Sequence, residues 1–526
     1  MPALRYVFDR PWLSLLLLVF AVQAPFWFEP YGVHEINLGA FMGTYVRNWE
    51  AHGWWELRGA PLGVTLLEDP SRSDPYFNHP AGLSWLFYLV GGAEWAVRAT
   101  LTAFAWFAAV ALHGLLRPRL DHFAAWTGAA ALTVVPLFGF HAAASYEVTL
   151  VACGLATMWG MDRIARNEGN RLANLMMIGL ACLAGPWLDW TYGLWCVAFA
   201  IFAVSFRYPP GGASAAIRWI RALIPAAVPA AISLAGVLVW LDWSKSAPYL
   251  ERWRRAQEGK PEGISALIEN TILTDRPSFE KWFSDCFDIW VEGCTLPGLV
   301  IAILGLAVVF RRLPTLWVAL GVPVLLHTVM FAKYATFHPM QHGHGAAAFA
   351  AAIAGTVFGC RSIGPRAAML TTPQLVAGVT LALMSVSLVE HKLHNRTDVF
   401  RDEGRVLSEA AGIGDDTYIV VHNWQFYGAY VDNRRVSAYP LNNPIHLQAG
   451  IDALPPVRGV RLLRLDFGDG PEVPVHLIDH PLLTTWLEQY PYEEHPELEG
   501  QIPLPGIGDF LTVRSAQLYT LREPAR

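Results

Sequence analysis

Residues 33–86 read VHEINLGAFMGTYVRNWEAHGWWELRGAPLGVTLLEDPSRSDPYFNHPAGLSWL, a polar stretch between two apolar runs. It opens on Glu35, at the mouth of the first run. Phe41, Tyr45 and Trp49 then follow at i, i+4 and i+8, which places them on one helical face. Arg47, Asn48 and Glu50 fall off that stripe. Such a helix is expected to lie in the membrane interface with its aromatic face among the headgroups. The stretch ends at Tyr76-Phe77-Asn78-His79-Pro80, followed by the short apolar segment 80–92, read as a second interfacial or re-entrant helix. Carboxylate, interfacial helix, loop and cation together suggest a reaction site at a membrane surface.

The rest of the chain supplies the membrane part. Of 526 residues 54% are hydrophobic and only 16% charged. The apolar residues gather in runs of about 17–25, the length that crosses a bilayer. About eleven such runs are read, near 11–28, 99–116, 123–141, 145–161, 172–187, 190–206, 217–241, 296–310, 314–332, 345–360 and 373–389. The first has no small-residue cleavage site after it and reads as a retained span. A net charge of −6 gives no footing for a nucleic-acid partner. Arginines recur at alternate run ends: Arg5 and Arg10, Arg117 and Arg119, Arg163, Arg166 and Arg171, Arg311 and Arg312. By the positive-inside rule these ends are cytoplasmic. The stretches 33–86 and 242–295, the turns at Glu147 and Asp189, and 333–344 then lie on the outer face.

After Glu390 the composition turns polar. Strand-like runs (Tyr418–His422, Val460–Phe467, Val473–Ile478, Phe510–Val513) alternate with helical ones (Arg401–Ala411, Leu482–Gln489). The expected fold class is an α-helical polytopic membrane protein. Its parts are a transmembrane domain, 1–390, and a small extracytoplasmic α/β domain, 391–526. Of the six cysteines, Cys286 and Cys294 share one loop and form either a disulfide or two free thiols.

Several residues could carry chemistry. A carboxylate at the outer end of a span, as Glu35 is, is placed for general-base work. Glu147, in Ser145-Tyr146-Glu147-Val148, is an ionisable group at the interface. It is either functional or a helix-start carboxylate favoured by the dipole. Asp189 sits in an aromatic turn that suits an interface belt equally well. Cations for an anion are His79, Arg58, Lys333 and His338. His342 and His344 add to that cluster, and with His338 could ligate a divalent metal, or the group could simply be snorkelling side chains. Trp54, Trp55 and Trp85 read as interface anchors. No phosphate loop for an ATP-driven pump and no Ser or Cys nucleophile motif is present.

On these residues the chain resembles the GT-C polyprenyl-phosphate-dependent glycosyltransferases. It looks nearest to the branch of bacterial protein O-mannosyltransferases and lipid A aminoarabinose transferases. The resemblance rests on Glu35 after the first span, the helix to Trp49, and Tyr76–Pro80 running into Leu83–Leu86. Glu94 and Arg98 before the next span and the turn with Glu147 add to it. Where the family has an Asp-Glu-type pair this chain has His34-Glu35. Where the aminoarabinose branch has Lys before Pro-Pro it has His79-Pro80-Ala81. The resemblance implies a multi-pass protein of the bacterial inner membrane, with N-terminus inside and site outside. It implies transfer of a sugar from a polyprenyl-monophosphate carrier to an acceptor hydroxyl, with inversion and Glu35 as base. Glu147 would orient the acceptor or hold a metal, and His79, Arg58, Lys333 and His338 would meet the phosphate. The acceptor (lipid, polysaccharide or protein) is left open. A lipid-linked sugar flippase and a non-catalytic glycolipid-binding assembly factor are the competing readings. A flippase would favour internal repeats, and none is seen.

Overall fold

The computed structural model describes residues 9–28, 45–46, 48–63, 74–75, 77, 79–140, 145–206, 215–257, 277–336, 339–360 and 372–394. Beyond these it describes the strand residues 417–421, 436–437, 459–467, 492–494 and 513–521. Glu35 and His338 lie outside the described residues, as do Val473–Ile478 and the two expected helices of the tail.

Each apolar run becomes a helix. In chain order they are α1 (Pro11–Gln23), the short α2 (Gly82–Leu89), α3 (Glu94–Leu116), α4 (His122–Val134), α5 (Tyr146–Ala165), α6 (Arg171–Leu188), α7 (Tyr192–Ala203) and α8 (Ala215–Lys245). After α9 (Phe279–Cys294) come α10 (Leu296–Arg312), α11 (Pro314–Met330), α12 (Ala346–Gly359) and α13 (Thr372–His394). The starts obey local chemistry. Asp121, Ser145, Asn170, Ser278 and Thr295 cap α4, α5, α6, α9 and α10 with side-chain oxygens. Proline opens α1 and α11, where its missing N–H costs nothing. Among the described residues four helical stretches are long and apolar enough to cross a membrane alone: Glu94–Leu116, Arg171–Leu188, Trp219–Lys245 and Thr372–Leu393. Pro11–Phe26, Tyr192–Ala203 and Pro314–Met330 are shorter apolar helices.

The alanine-rich α12 is buried along almost its whole length. It packs against α10 and α4. Gly305 of α10 lies directly on the Ala352 carbonyl, the close approach that small residues permit in a membrane bundle. At the arginine-rich end, the buried Asp162 of α5 takes Arg119 Nη2 at 2.6 Å and Arg166 Nη2 at 2.8 Å. This ties α5 to the turn after α3.

Two elements differ from the expected picture. Tyr45 and Trp49 are 2% and 1% exposed, buried in the protein core and not among headgroups. Trp49 Nε1 donates to the Ala60 carbonyl at 2.9 Å, and Asn48 Nδ2 to the Leu62 carbonyl at 2.9 Å. The chain folds back over this stripe, because Leu57, Leu62, Leu83 and Phe87 cover it. Among the described residues, the sharp turn between neighbouring apolar helices is at α9, in the 242–295 stretch. There α9 meets α10 at 97°, so if α10 spans, α9 runs along the surface. The bend is made at Thr295, with φ at +62°. Phe279, Phe283 and Phe287 form its exposed ladder, with ring centroids 6.2 and 6.3 Å apart. Its other face carries Trp282, whose Nε1 donates to the Thr328 carbonyl at 3.0 Å. Cys286 and Cys294 both lie on α9 and are free thiols. Eight residues along a helix is about 12 Å, beyond the reach of a disulfide.

The C-terminal strands are β1 (Thr417–Val421), β2 (Val436–Ser437), β3 (Gly459–Phe467), β4 (Tyr492–Glu494) and β5 (Val513–Leu521). They form one sheet in the order β2-β1-β3-β5-β4. β1 is parallel to β2 and β3, while β5 is antiparallel to β3 and β4. The last strand begins where the expected Phe510–Val513 run ends. Its residues Arg514, Ser515, Gln517 and Thr520 weaken the apolar signal there.

Candidate active site

Three junctions meet at one end of the bundle: the loop before α2, the start of α5, and the turn between α6 and α7. Asp189 sits in that turn, 3% exposed. Its Oδ1 accepts from the Thr191 N–H at 2.7 Å and the Thr191 hydroxyl at 2.6 Å. Its Oδ2 pairs with His79 Nδ1 across 110 residues of chain. The His79 ring lies parallel to Tyr146, with centroids 5.0 Å apart and planes 16° from parallel. Burial opposes a charged imidazole at His79. The Asp189 charge and hydrogen bond outweigh it and raise His79 above its usual 6.5, with help from Glu147. Burial alone would raise Asp189; His79 and Thr191 reverse that and hold it down at about 2.

Glu147 is next along α5 and buried. The Ser145 hydroxyl donates to Glu147 Oε2, while the Glu147 N–H donates back to Ser145 Oγ at 3.2 Å. Glu147 is within electrostatic reach of both His79 and Asp189. Gly343, in the 3-10 segment Pro339–Gly345, lies beside Glu147, so that a methyl built on it would sit 3.6 Å from Glu147 Cβ. The site is thus an acid, a paired imidazole and an aromatic ring drawn from helix ends, the arrangement of a group that handles charge at the edge of an apolar layer.

No protein-family model matches the chain, and a search of curated proteins gives no match. Solved structures do match. ArnT from Cupriavidus metallidurans bound to undecaprenyl phosphate superposes with a TM-score of 0.60 at 11% identity, covering 96% of this chain and 98% of that one. Its apo state gives 0.55 at 10% identity, with the same coverage. The apo oligosaccharyltransferase of Archaeoglobus fulgidus gives 0.47 at 13% identity, covering 87% of this chain and 69% of that one. The fold is GT-C.

Within this fold the candidate residues are distributed unevenly. His79 and Glu147 come together, and Asp189 joins them. Arg58, with φ at +52°, is a tie: Nη1 donates to the Trp243 carbonyl and Ser246 Oγ, both at 2.8 Å. Its own carbonyl accepts from Trp240 Nε1 at 3.1 Å and Ser244 Oγ at 2.8 Å. Lys333 is exposed on the short helix Ala332–Ala335, which packs on α9.

At His342 and His344 burial works against the cationic form. Both are buried, at 0% and 1% exposed. Burial pushes His342 below its usual value against a hydrogen bond from Nε2 to the Ala335 carbonyl at 2.9 Å. Burial brings His344 down to about 4 despite Asp189. Trp195 Nε1 donates to His344 Nδ1 at 3.3 Å. Neutral imidazoles are what a metal takes, yet among the described residues no group of three or more His, Cys, Asp or Glu could hold one.

The tryptophans also divide. Trp55 is exposed, but Trp85 stands in an aromatic cluster with Trp54, Trp187 and Trp240, and its Nε1 donates to the Gly59 carbonyl at 3.0 Å. Asp189 and Tyr146 are the members that sequence reading underweights. The D-x-T spacing of Asp189 and Thr191, a carboxylate capping its own turn, is the signal that points to Asp189.

Proposed function

We propose that this protein is an integral-membrane glycosyltransferase. It takes a sugar from a polyprenyl-monophosphate carrier at the outer face of the membrane and moves it to an acceptor hydroxyl with inversion. The reading is carried by the pairing of His79 with Asp189 beside the buried Glu147, at a membrane-edge position of a GT-C fold. Undecaprenyl phosphate bound by ArnT supports the carrier class.

In this mechanism Glu35 takes the proton of the acceptor hydroxyl, whose oxygen attacks the anomeric carbon. The bond from that carbon to the phosphate oxygen breaks. Polyprenyl phosphate leaves with the electron pair as a dianion, so it needs cations more than a general acid. His79 supplies one, and Lys333, His338 and Arg58 are the further candidates. Glu147 orients the acceptor. The 391–526 segment forms an extracytoplasmic domain on the same side.

Native mass spectrometry of co-purifying lipids tests the reading, with wild type compared to Glu35→Gln. A polyprenyl-phosphate sugar enriched in the variant supports it. Ordinary phospholipids alone in both samples overturn it.

A further inference from the structure

We propose that Asp189 is a positioning residue that fixes the orientation of His79 and keeps its ring cationic, making His79 the resident phosphate-facing cation of the site. The phosphate part rests on the glycosyltransferase reading; the Asp189–His79 relationship does not.

The carboxylate is locked before it meets the imidazole. Oδ1 is taken by two donors of Thr191, one backbone and one hydroxyl. That leaves Oδ2 aimed at a single donor, Nδ1 of His79. The imidazole is held a second time by its parallel stack on Tyr146. The stack sets the plane of the ring and the hydrogen bond sets its rotation within that plane. With Nδ1 engaged, any bond to a phosphate oxygen runs through Nε2–H. A ring fixed in this way gives a charge-assisted bond without reorganising first.

The charges around the pair point the same way. From the loop before α2 comes His79 itself; from α5 come Tyr146 and Glu147; from the α6–α7 turn comes Asp189; from 339–345 comes His344. Glu147 adds to the negative field at His79. His344 is the other imidazole within reach of Asp189, and burial keeps it neutral, so it does not draw on the same carboxylate. A lysine at position 79 would be charged without help. A histidine with an ordinary value of 6.5 is mostly neutral at pH 7.5, and a locked carboxylate corrects that.

The test is solid-state ¹⁵N NMR of the full-length, histidine-labelled protein in lipid bilayers, with the His79 signal assigned by its loss in His79→Asn. In wild type the ring should titrate above pH 6.5 and carry more charge at neutral pH than a free imidazole. In Asp189→Asn, which preserves the bonds to Thr191 in part, the midpoint should fall by a pH unit or more, a tenfold or greater weakening of the ring's proton affinity. A neutral His79 at pH 7 in wild type overturns the inference without need of any variant. So does a midpoint that Asp189→Asn leaves in place.

Undecaprenyl phosphate binding on the same samples forms the second arm. Asp189→Asn should weaken binding about tenfold at pH 7.5 and recover as the pH falls to about 5.5, while Asp189→Asn with His79→Lys should bind with little pH dependence. If His79 titrates as expected but wild type binds no undecaprenyl phosphate, the donor reading fails and the Asp189–His79 relationship stands.

Discussion

Gly82 rests on the backbone of Trp187: a methyl group built on its Cα would overlap the Trp187 carbonyl oxygen and come 2.9 Å from Trp187 Cβ. The two residues belong to α2 and α6, and their contact sets the distance between the segments that carry His79 and Asp189. Gly82→Ala should push α2 off α6 and separate the pair. The expected cost is about 1–3 kcal/mol of overpacking, read as a lower thermal midpoint in detergent. Gly179→Ala, on the same α6 with nothing within 4 Å of the added methyl, should leave the midpoint unchanged or raise it.

Glu147 offers a cleaner separation of chemistry from stability. Gln can still accept the Ser145 hydroxyl, so Glu147→Gln removes the ionisable carboxyl and keeps the shape. Turnover of a polyprenyl-linked sugar should drop about 10²-fold, the scale of a misplaced acceptor, with little change in thermal midpoint. Ser145→Ala removes the donor to Glu147 and the N-cap of α5 together, and should cost about tenfold or less in turnover and about 1 kcal/mol in stability. Activity of Glu147→Gln within twofold of wild type would take Glu147 out of the mechanism.

Much of this was legible because a bilayer is a strict solvent. An apolar run long enough to span must be helical, since lipid offers backbone groups no partner, and every such run here is a helix. Periodicity was less decisive at Tyr45 and Trp49. It says which side chains share a face, not whether lipid or protein meets that face, and here protein does. The pairing of His79 with Asp189 was hidden for another reason. The partners are 110 residues apart, and only the packing of α2 on α6 joins them. Cys286 and Cys294 show the reverse: their spacing suggested a loop pair, and the helix that contains both forbids it.

The burial of Trp49 can be measured directly. Its ring lies edge-on to Tyr88 at 5.7 Å and is 1% exposed, whereas Trp55 is 73% exposed. Trp49→Ala should therefore cost about 3–5 kcal/mol. Trp55→Ala should fall within about 0.5 kcal/mol of wild type. Thermal unfolding in a fixed detergent distinguishes them. Equal, small effects would mean that both are headgroup anchors.

Asp162 carries a different kind of stability. It is 1% exposed and takes two guanidinium groups whose side chains are 20% and 27% exposed. Asp162→Asn leaves Arg119 without its carboxylate, while Arg166 keeps its pairing with Glu168. The cost should be about 2–3 kcal/mol, below that of a fully buried pair because water reaches both arginines. Asp162 stands fifteen residues along α5 from Glu147, about 22 Å away, so activity per folded molecule should persist. A loss of turnover at full stability would show that this end of the bundle takes part in the reaction.

The His79–Asp189 pair also fixes a pH window for stability. His79 is raised in the folded state, so its contribution is complete below 6.5 and fades as the pH climbs through the raised value. Asp189 is depressed, so its contribution is complete above 3.8 and fades as the pH falls through about 2. The two overlap between 3.8 and 6.5 and weaken on the alkaline side first. His344 complicates the wild-type curve alone: held at about 4, it binds fewer protons than the unfolded chain between 4 and 6.5, and so costs stability as the pH falls through that range. That cost is largely shared by Asp189→Asn and largely cancels in the difference between the two proteins. The difference in thermal midpoint, wild type minus Asp189→Asn, should therefore be larger on the acid side, near about pH 5, and shrink as the pH climbs through the raised His79 value. A difference that is flat from about pH 5 to 9, or that grows with pH, would mean that the ring at position 79 is not charged in the folded protein.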